Sequence, residues 1–330
     1  MRKKRKKIIL ILQSFLLIFI LISGCTQNQT NNLNEQTKMG TTDNSNLSIV
    51  TTIFPQYDFV RQIAGDQVDL HLLLKPGAES HSYEPTPQDI KLIQASDLFI
   101  YVGGENDSWV EGILESMQDE APKTMQLLEL VDTLEEEIVE GMEHADHPED
   151  QTHAHQVDEH VWTSPIKAIE IVKKISKQLS DQDPVNAEIY QKNSDEYIAE
   201  LEELDEKFEK LVKDTNRNII LFGDRFPFRY LVEEYGIDYY AAFTGCSTDT
   251  EASAATVAFL IDKTNELQLP YVFSIEFSNE EIANSIAEAT DAEKLTLHSI
   301  HNVSKEDLES GETYISLMEK NLENLTKALK

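Results

Sequence analysis

Apolar and polar positions divide the 330-residue chain into three regimes. Residues 8–22 are apolar except for Gln13 and Ser14, and Arg2, Lys3, Lys4, Arg5, Lys6 and Lys7 form a basic head before them. Residues 26–46 are rich in Asn, Gln and Thr and carry almost no apolar side chains. From Leu47 onward, short β-rich runs alternate with stretches of helical spacing.

Runs at 48–54, 68–74 and 98–102 predict strands, the first ended by Pro55 and the last by Gly103-Gly104, with helices over 87–95 and 109–117. The second half repeats the theme, with strands at 218–222, 237–242, 271–275 and 294–298 and helices at 228–235, 251–267, 278–290 and 313–329. Strands alternating with helices at this spacing build parallel sheets from βαβ units. Between the halves, residues 184–214 place Ile189, Tyr190, Tyr197, Ile198, Leu201, Leu204, Phe208 and Leu211 near helical spacing, with no Gly or Pro after Pro184. One helix over this stretch would run ~45 Å at 1.5 Å per residue. The heptads are not strict enough for a coiled-coil dimer. The predicted class is therefore α/β: two lobes, each with a mainly parallel sheet flanked by helices, joined by one long backbone helix, in a monomer.

The basic head and short apolar run form a secretory signal, too short to span a bilayer comfortably. They lead into Leu21-Ile22-Ser23-Gly24-Cys25, a lipobox pattern in which the Cys25 thiol takes a diacylglycerol. Residues 1–25 are thus read as a lipoprotein signal peptide ending in the lipidated cysteine. Residues 26–46 cannot bury enough surface to offset their conformational entropy and read as a flexible tether. The expected location is the cell surface or periplasm, lipid-anchored to a bacterial membrane.

Charge narrows the function. Sixty acidic against 28 basic residues give a net −32, which excludes a nucleic-acid partner. Cys246 is the only cysteine besides Cys25, so no disulfide is expected within the mature chain.

The nine histidines carry the candidate chemistry. His144, His147, His153 and His155 lie in an acidic, polar tract spanning about 132–159, with His160 just beyond. Imidazole suits zinc, copper or nickel, and carboxylates offset the ion's charge, so this tract reads as a low-affinity metal-collecting loop. His81 stands after a predicted strand and a Gly turn and before a helix, at the edge of a parallel sheet where α/β folds place ligands. His71 lies within a predicted strand and reads as core or surface filler.

His81-Ser82-Tyr83-Glu84-Pro85-Thr86-Pro87 and His160-Val161-Trp162-Thr163-Ser164-Pro165 resemble the two signature segments of the zinc and manganese solute-binding proteins of ATP-binding-cassette importers, cluster A-I. The acidic His-rich loop is similar to the zinc branch, and the resemblance covers residues 47–330. It implies an N-terminal metal-binding lobe at 47–183, a connecting helix at 184–214, a C-terminal lobe at 215–330, and a metal held between the lobes. It also implies two ligands from the C-terminal lobe. One falls on Arg225, which has no free lone pair for a metal, so neighbouring Asp224 takes its place. The other aligns with His298, and His301 and Glu276 are in reserve for Asp224. The expected set is His81, His160, His298 and Asp224. Three imidazoles and a carboxylate favour Zn2+, with Mn2+ the alternative, since manganese prefers oxygen-rich sites. The implied partners are an ABC permease and its ATPase subunit.

Two other classes compete. A secreted zinc hydrolase would use an open coordination position and a base such as Glu276 or Glu84, but no HExxH pair or GxSxG elbow is present. A surface adhesin would leave the histidines unexplained. The reading is a binding protein rather than an enzyme.

Overall fold

The computed structural model describes residues 46–142, 156–248 and 251–330. Cys25 and the loop histidines His144, His147, His153 and His155 lie outside them.

The N-terminal half runs β1 (Leu47–Thr51), α1 (Phe54–Ala64), β2 (Val68–Leu72), α2 (Pro87–Ala95), β3 (Leu98–Tyr101), α3 (Ser108–Met117) and β4 (Lys123–Gln126). These strands form a parallel sheet in the order β2-β1-β3-β4. Next come α4 (Pro165–Gln182) and α5 (Ala187–Asp214). The C-terminal half follows with β5 (Ile219–Phe226), α6 (Arg229–Tyr235), β6 (Asp238–Thr244), α7 (Ala254–Glu266), β7 (Tyr271–Ile275), α8 (Glu281–Ala289), β8 (Glu293–Leu297), α9 (Lys305–Ser310) and α10 (Tyr314–Leu329). Its parallel sheet, ordered β6-β5-β7-β8, repeats the first topology.

Three elements depart from the apolar pattern. The first strand stops at Thr51, and Phe54 opens a helix with Pro55 in its first turn. Proline is favoured there because the N–H it lacks would have no helical partner. This helix is the crossover that parallel β1 and β2 require. β4 was not anticipated: its exposed Lys123 and Thr124 and its edge position give no buried alternation to read. The third is α9, where a Ser304–Asp307 capping box starts a helix with no buried side chains.

The long helix begins at Ala187 rather than at Pro184, because residues 183–186 form a turn closed by the Asn186 N–H on the Asp183 carbonyl (3.2 Å). Its stripe Tyr197, Leu201, Leu204, Phe208 and Leu211 is buried, while Ile189 is exposed. That stripe packs on α1 and α4 of the first half and on α6 and α10 of the second. Phe208 stacks on Tyr235 of α6, and Tyr197 meets Phe59 of α1. The helix is thus fastened to both lobes.

Both sheets turn carboxyl ends of their strands toward one region. Thr52 and Ile53 after β1, Leu74 after β2 and Val102 after β3 line a cavity together with His301, which follows β8.

Candidate metal centre

Both signature segments end in a helix start. The Thr86 side chain accepts the Asp89 N–H at the head of α2, Asp89 returns a bond to the Thr86 N–H (2.8 Å), and Pro87 fills the first turn. Ser164 caps α4 by accepting the Lys167 N–H, with Pro165 in its first turn. Such caps contribute about 1 kcal/mol each. The Thr-Pro and Ser-Pro pairs therefore fix where two helices begin, and the histidine-bearing turns are held just ahead of them.

Three imidazoles meet there. One ring nitrogen from each of His81, His160 and His301 lies within 4.8 Å of the other two. The ring centroids stand 4.7 Å (His160–His301), 5.1 Å (His81–His301) and 6.0 Å (His81–His160) apart.

The second nitrogen of each ring is committed. Asn106 donates its amide to Glu159 Oε2 at 2.6 Å, which turns its Oδ1 to His81 Nδ1 at 3.0 Å. A carbonyl oxygen only accepts, so Nδ1 carries the proton and Nε2 keeps its lone pair. Asp158 Oδ1 accepts from His160 twice, from the backbone N–H at 2.8 Å and from Nδ1 at 2.9 Å. Ser299 Oγ donates to Glu276 Oε1 at 2.5 Å and so accepts from His301 Nδ1 at 2.7 Å. Every Nδ1 proton thus reaches an oxygen that is, or is backed by, a carboxylate. This arrangement orients metal-binding imidazoles and raises their basicity. His160 Nε2 is fully buried and makes no hydrogen bond within the chain. Leaving such a group unpaired costs about 1–3 kcal/mol, a penalty that a coordinated cation removes.

The segment carrying His301 is laced to the first half. Trp162 Nε1 donates to the Ser299 carbonyl at 2.8 Å, and the Phe54 N–H donates to the His301 carbonyl at 3.0 Å. Asn302 Nδ2 donates to the carbonyls of Lys75 (2.7 Å) and Ala78 (2.9 Å), on the stretch leading to His81.

The electrostatics favour neutral rings at two positions. Burial, then the neighbouring His160 and Arg225, push His81 down to about 4. Burial and the neighbouring His160, His81 and Arg225 hold His301 well below the ordinary value. His160 goes the other way: burial opposes its charged form, but the Asp158 carboxylate outweighs that and raises it. Burial also lifts Glu159 to about 7 and Asp107 to about 6.

The model of the family described as "ZnuA: Zinc-uptake complex component A periplasmic" matches residues 49–328. The chain belongs to the ZnuA family. It is 34 % identical over 313 residues to the high-affinity zinc uptake system protein ZnuA of Bacillus subtilis, covering 94 % of each chain. It is also 34 % identical over 282 residues to the zinc-binding lipoprotein AdcA of Streptococcus pneumoniae, covering 84 % of this chain and 55 % of that one. It thus spans about half the length of that relative. Among solved structures it superposes on the metal-dependent lipoprotein YcdH of Bacillus subtilis with a TM-score of 0.73, at 32 % identity, covering 86 % of this chain and 100 % of that one. On the Zn(II)-bound ZnuA-like domain of Streptococcus pneumoniae AdcA the TM-score is 0.71 at 30 % identity, covering 86 % of this chain and 99 % of that one.

Within this ZnuA-family fold, His298 and Asp224 sit apart from the triad. His298 Nδ1 accepts the Ile300 N–H at 3.0 Å, which spends that lone pair and leaves the proton on Nε2. Asp224 accepts the backbone N–H groups of Arg225 (2.9 Å) and Ile275 (3.2 Å), and so serves as a backbone acceptor. What the apolar pattern missed is the turn after β8. Ile300 adopts a left-handed conformation (φ +65°) and swings His301, rather than His298, onto the triad. A buried β-branched residue is a poor candidate for φ > 0, so nothing in the sequence announces that turn. Glu276, the other reserve, is bound by Ser299 through both its N–H (2.6 Å) and its hydroxyl. His71 pairs with Asp69 on β2 at 3.3 Å. Burial, then the carboxylates of Asp158, Glu159 and Glu136, raise the Cys246 thiol well above its usual value and keep it protonated.

Proposed function

We propose that this chain is the extracytoplasmic zinc receptor of an ABC importer, lipid-anchored through Cys25, with His81, His160 and His301 binding the ion. The observation that carries the reading is the convergence of three imidazoles whose Nδ1 positions are all engaged by oxygen acceptors. Three neutral nitrogen donors favour Zn2+, which takes tetrahedral N/S sites, over Mn2+, which takes oxygen-rich ones. The ion is cargo: captured between the lobes, carried to the permease, and imported at the expense of the partner ATPase. The acidic tract with His144, His147, His153 and His155 would collect ions loosely and raise their concentration near the cleft. The receptor would act as a monomer without turnover.

Metal analysis of untagged protein, followed by competition with chelators, tests this reading. One zinc per chain and single losses of tight binding in His81→Ala, His160→Ala and His301→Ala are expected. Preferential retention of manganese, or zinc retention in all three variants, would overturn it. Deleting residues 143–155 should slow zinc uptake in chelator-treated cells while leaving the affinity of the triad unchanged.

A further inference from the structure

Four of the carboxylates around or near the triad are committed to other partners. Asp158 holds His160, Glu159 takes the side chain and N–H of Asn106, Glu276 takes Ser299, and Asp224 takes two backbone N–H groups. Glu79 differs. It stands two residues before His81, with its side chain 41 % exposed, and its bonds are long: Oε2 to the Arg225 guanidinium at 3.2 Å and Oε1 to the His81 N–H at 3.3 Å. Both lie at the outer end of the hydrogen-bond range.

Arg225 is the fixed member of this pair. It is 7 % exposed and reaches the Ser247 carbonyl at 3.4 Å. Gly245 sits between the end of β5 that carries Arg225 and the triad: a Cβ there would fall within about 3 Å of both the Phe226 carbonyl oxygen and the His160 ring. The Arg225–Glu79 bond therefore joins the C-terminal lobe to the His81 loop at the rim of the cluster. A divalent ion on the three imidazoles would repel the guanidinium and attract the carboxylate. Three protein ligands also leave one tetrahedral position to fill.

We propose that Glu79 supplies the fourth ligand, exchanging its bond to Arg225 for one to the zinc ion held by His81, His160 and His301. This rests on the triad being the zinc site. Arg225 then acts as the competitor for Glu79 and sets how tightly the loaded receptor holds its ion.

Cobalt(II)-loaded protein titrated with azide, together with zinc competition, tests the proposal. Wild type should bind one cobalt and give no azide band, because the chain closes the fourth position. Glu79→Gln should bind cobalt, develop an azide band, and hold zinc about tenfold more weakly or worse. Arg225→Gln should hold zinc more tightly than wild type, and that gain should vanish in the Glu79→Gln background. An azide band in wild type, or unchanged zinc affinity in Glu79→Gln, would give the fourth position to solvent or a bound anion and overturn the proposal. Wild type that binds no equivalent of cobalt or zinc would overturn the triad assignment, and this inference with it.

Discussion

The two halves share one strand order, yet they build the centre by different means. The first half offers His81 and His160 from short contiguous motifs in which the histidine, the helix cap and the proline are neighbours in sequence. The second half offers His301 from a turn that depends on a left-handed Ile300 and on bonds reaching back to Trp162, Phe54 and Asn302. Local chemistry fixes the first pair of rings, whereas tertiary contacts fix the third. A site of this kind can be half legible in a sequence.

The sharpest way to break that contrast is to remove rings singly. Apparent zinc-binding energies of ~10–16 kcal/mol spread over four ligands imply a loss on the order of a hundredfold or more per ligand. His160→Ala and His301→Ala should each lose that much in chelator competition, while His298→Ala stays within about threefold of wild type. A large loss from His298→Ala would restore the ligand set that the sequence alone suggested.

Next in size are the groups that orient the rings. Asp158→Asn should cost about 10- to 100-fold in affinity, as such partners typically do. Asp224→Asn should spare affinity and lower the melting temperature instead, since Asp224 accepts two backbone N–H groups.

Acid should expose the same asymmetry. Zinc needs neutral imidazoles, and a ring competes with protons only below its own pKa. His160 is raised above 6.5, whereas His81 lies at about 4 and His301 is held well below its ordinary value. Affinity should therefore already be falling above pH ~6.5, about tenfold per pH unit, the slope of one proton, until His81 joins near pH ~4. A slope of two or three across pH 6 to 5 would contradict this electrostatic picture.

The smallest effect concerns the tie between the halves. Tyr230 on α6 donates to the Asp158 carbonyl at 2.7 Å and accepts the Leu134 N–H at 3.0 Å. Tyr230→Phe should cost about 0.5–1.5 kcal/mol in chemical denaturation and a few-fold in zinc affinity.

Much of the fold was legible because alternating apolar runs and Gly or Pro punctuation report local structure directly. The long helix showed itself through its stripe at 197, 201, 204, 208 and 211, although its first turn was misplaced by the Asp183–Asn186 turn. The helix after β1 was hidden because Pro55 reads equally well as a strand end or a helix start. At the site, His81 and His160 stood out because their motifs are contiguous. His301 was only a reserve for Asp224, because it is the backbone twist at Ile300 that brings it rather than His298 to the cluster, and side-chain pattern carries no record of that torsion.

Trp162 has an optical consequence. Its indole lies 5.5 Å from the His160 ring and 5.0 Å from the His301 ring, edge-on to both. The second tryptophan, Trp109, packs instead against Tyr83 and Phe99, in an apolar cluster on the N-terminal sheet. Filling the triad must alter the surroundings of one emitter far more than the other. Replacing Trp109 with Phe would leave a single tryptophan beside the imidazoles, so that metal binding there could be followed in real time without any added dye.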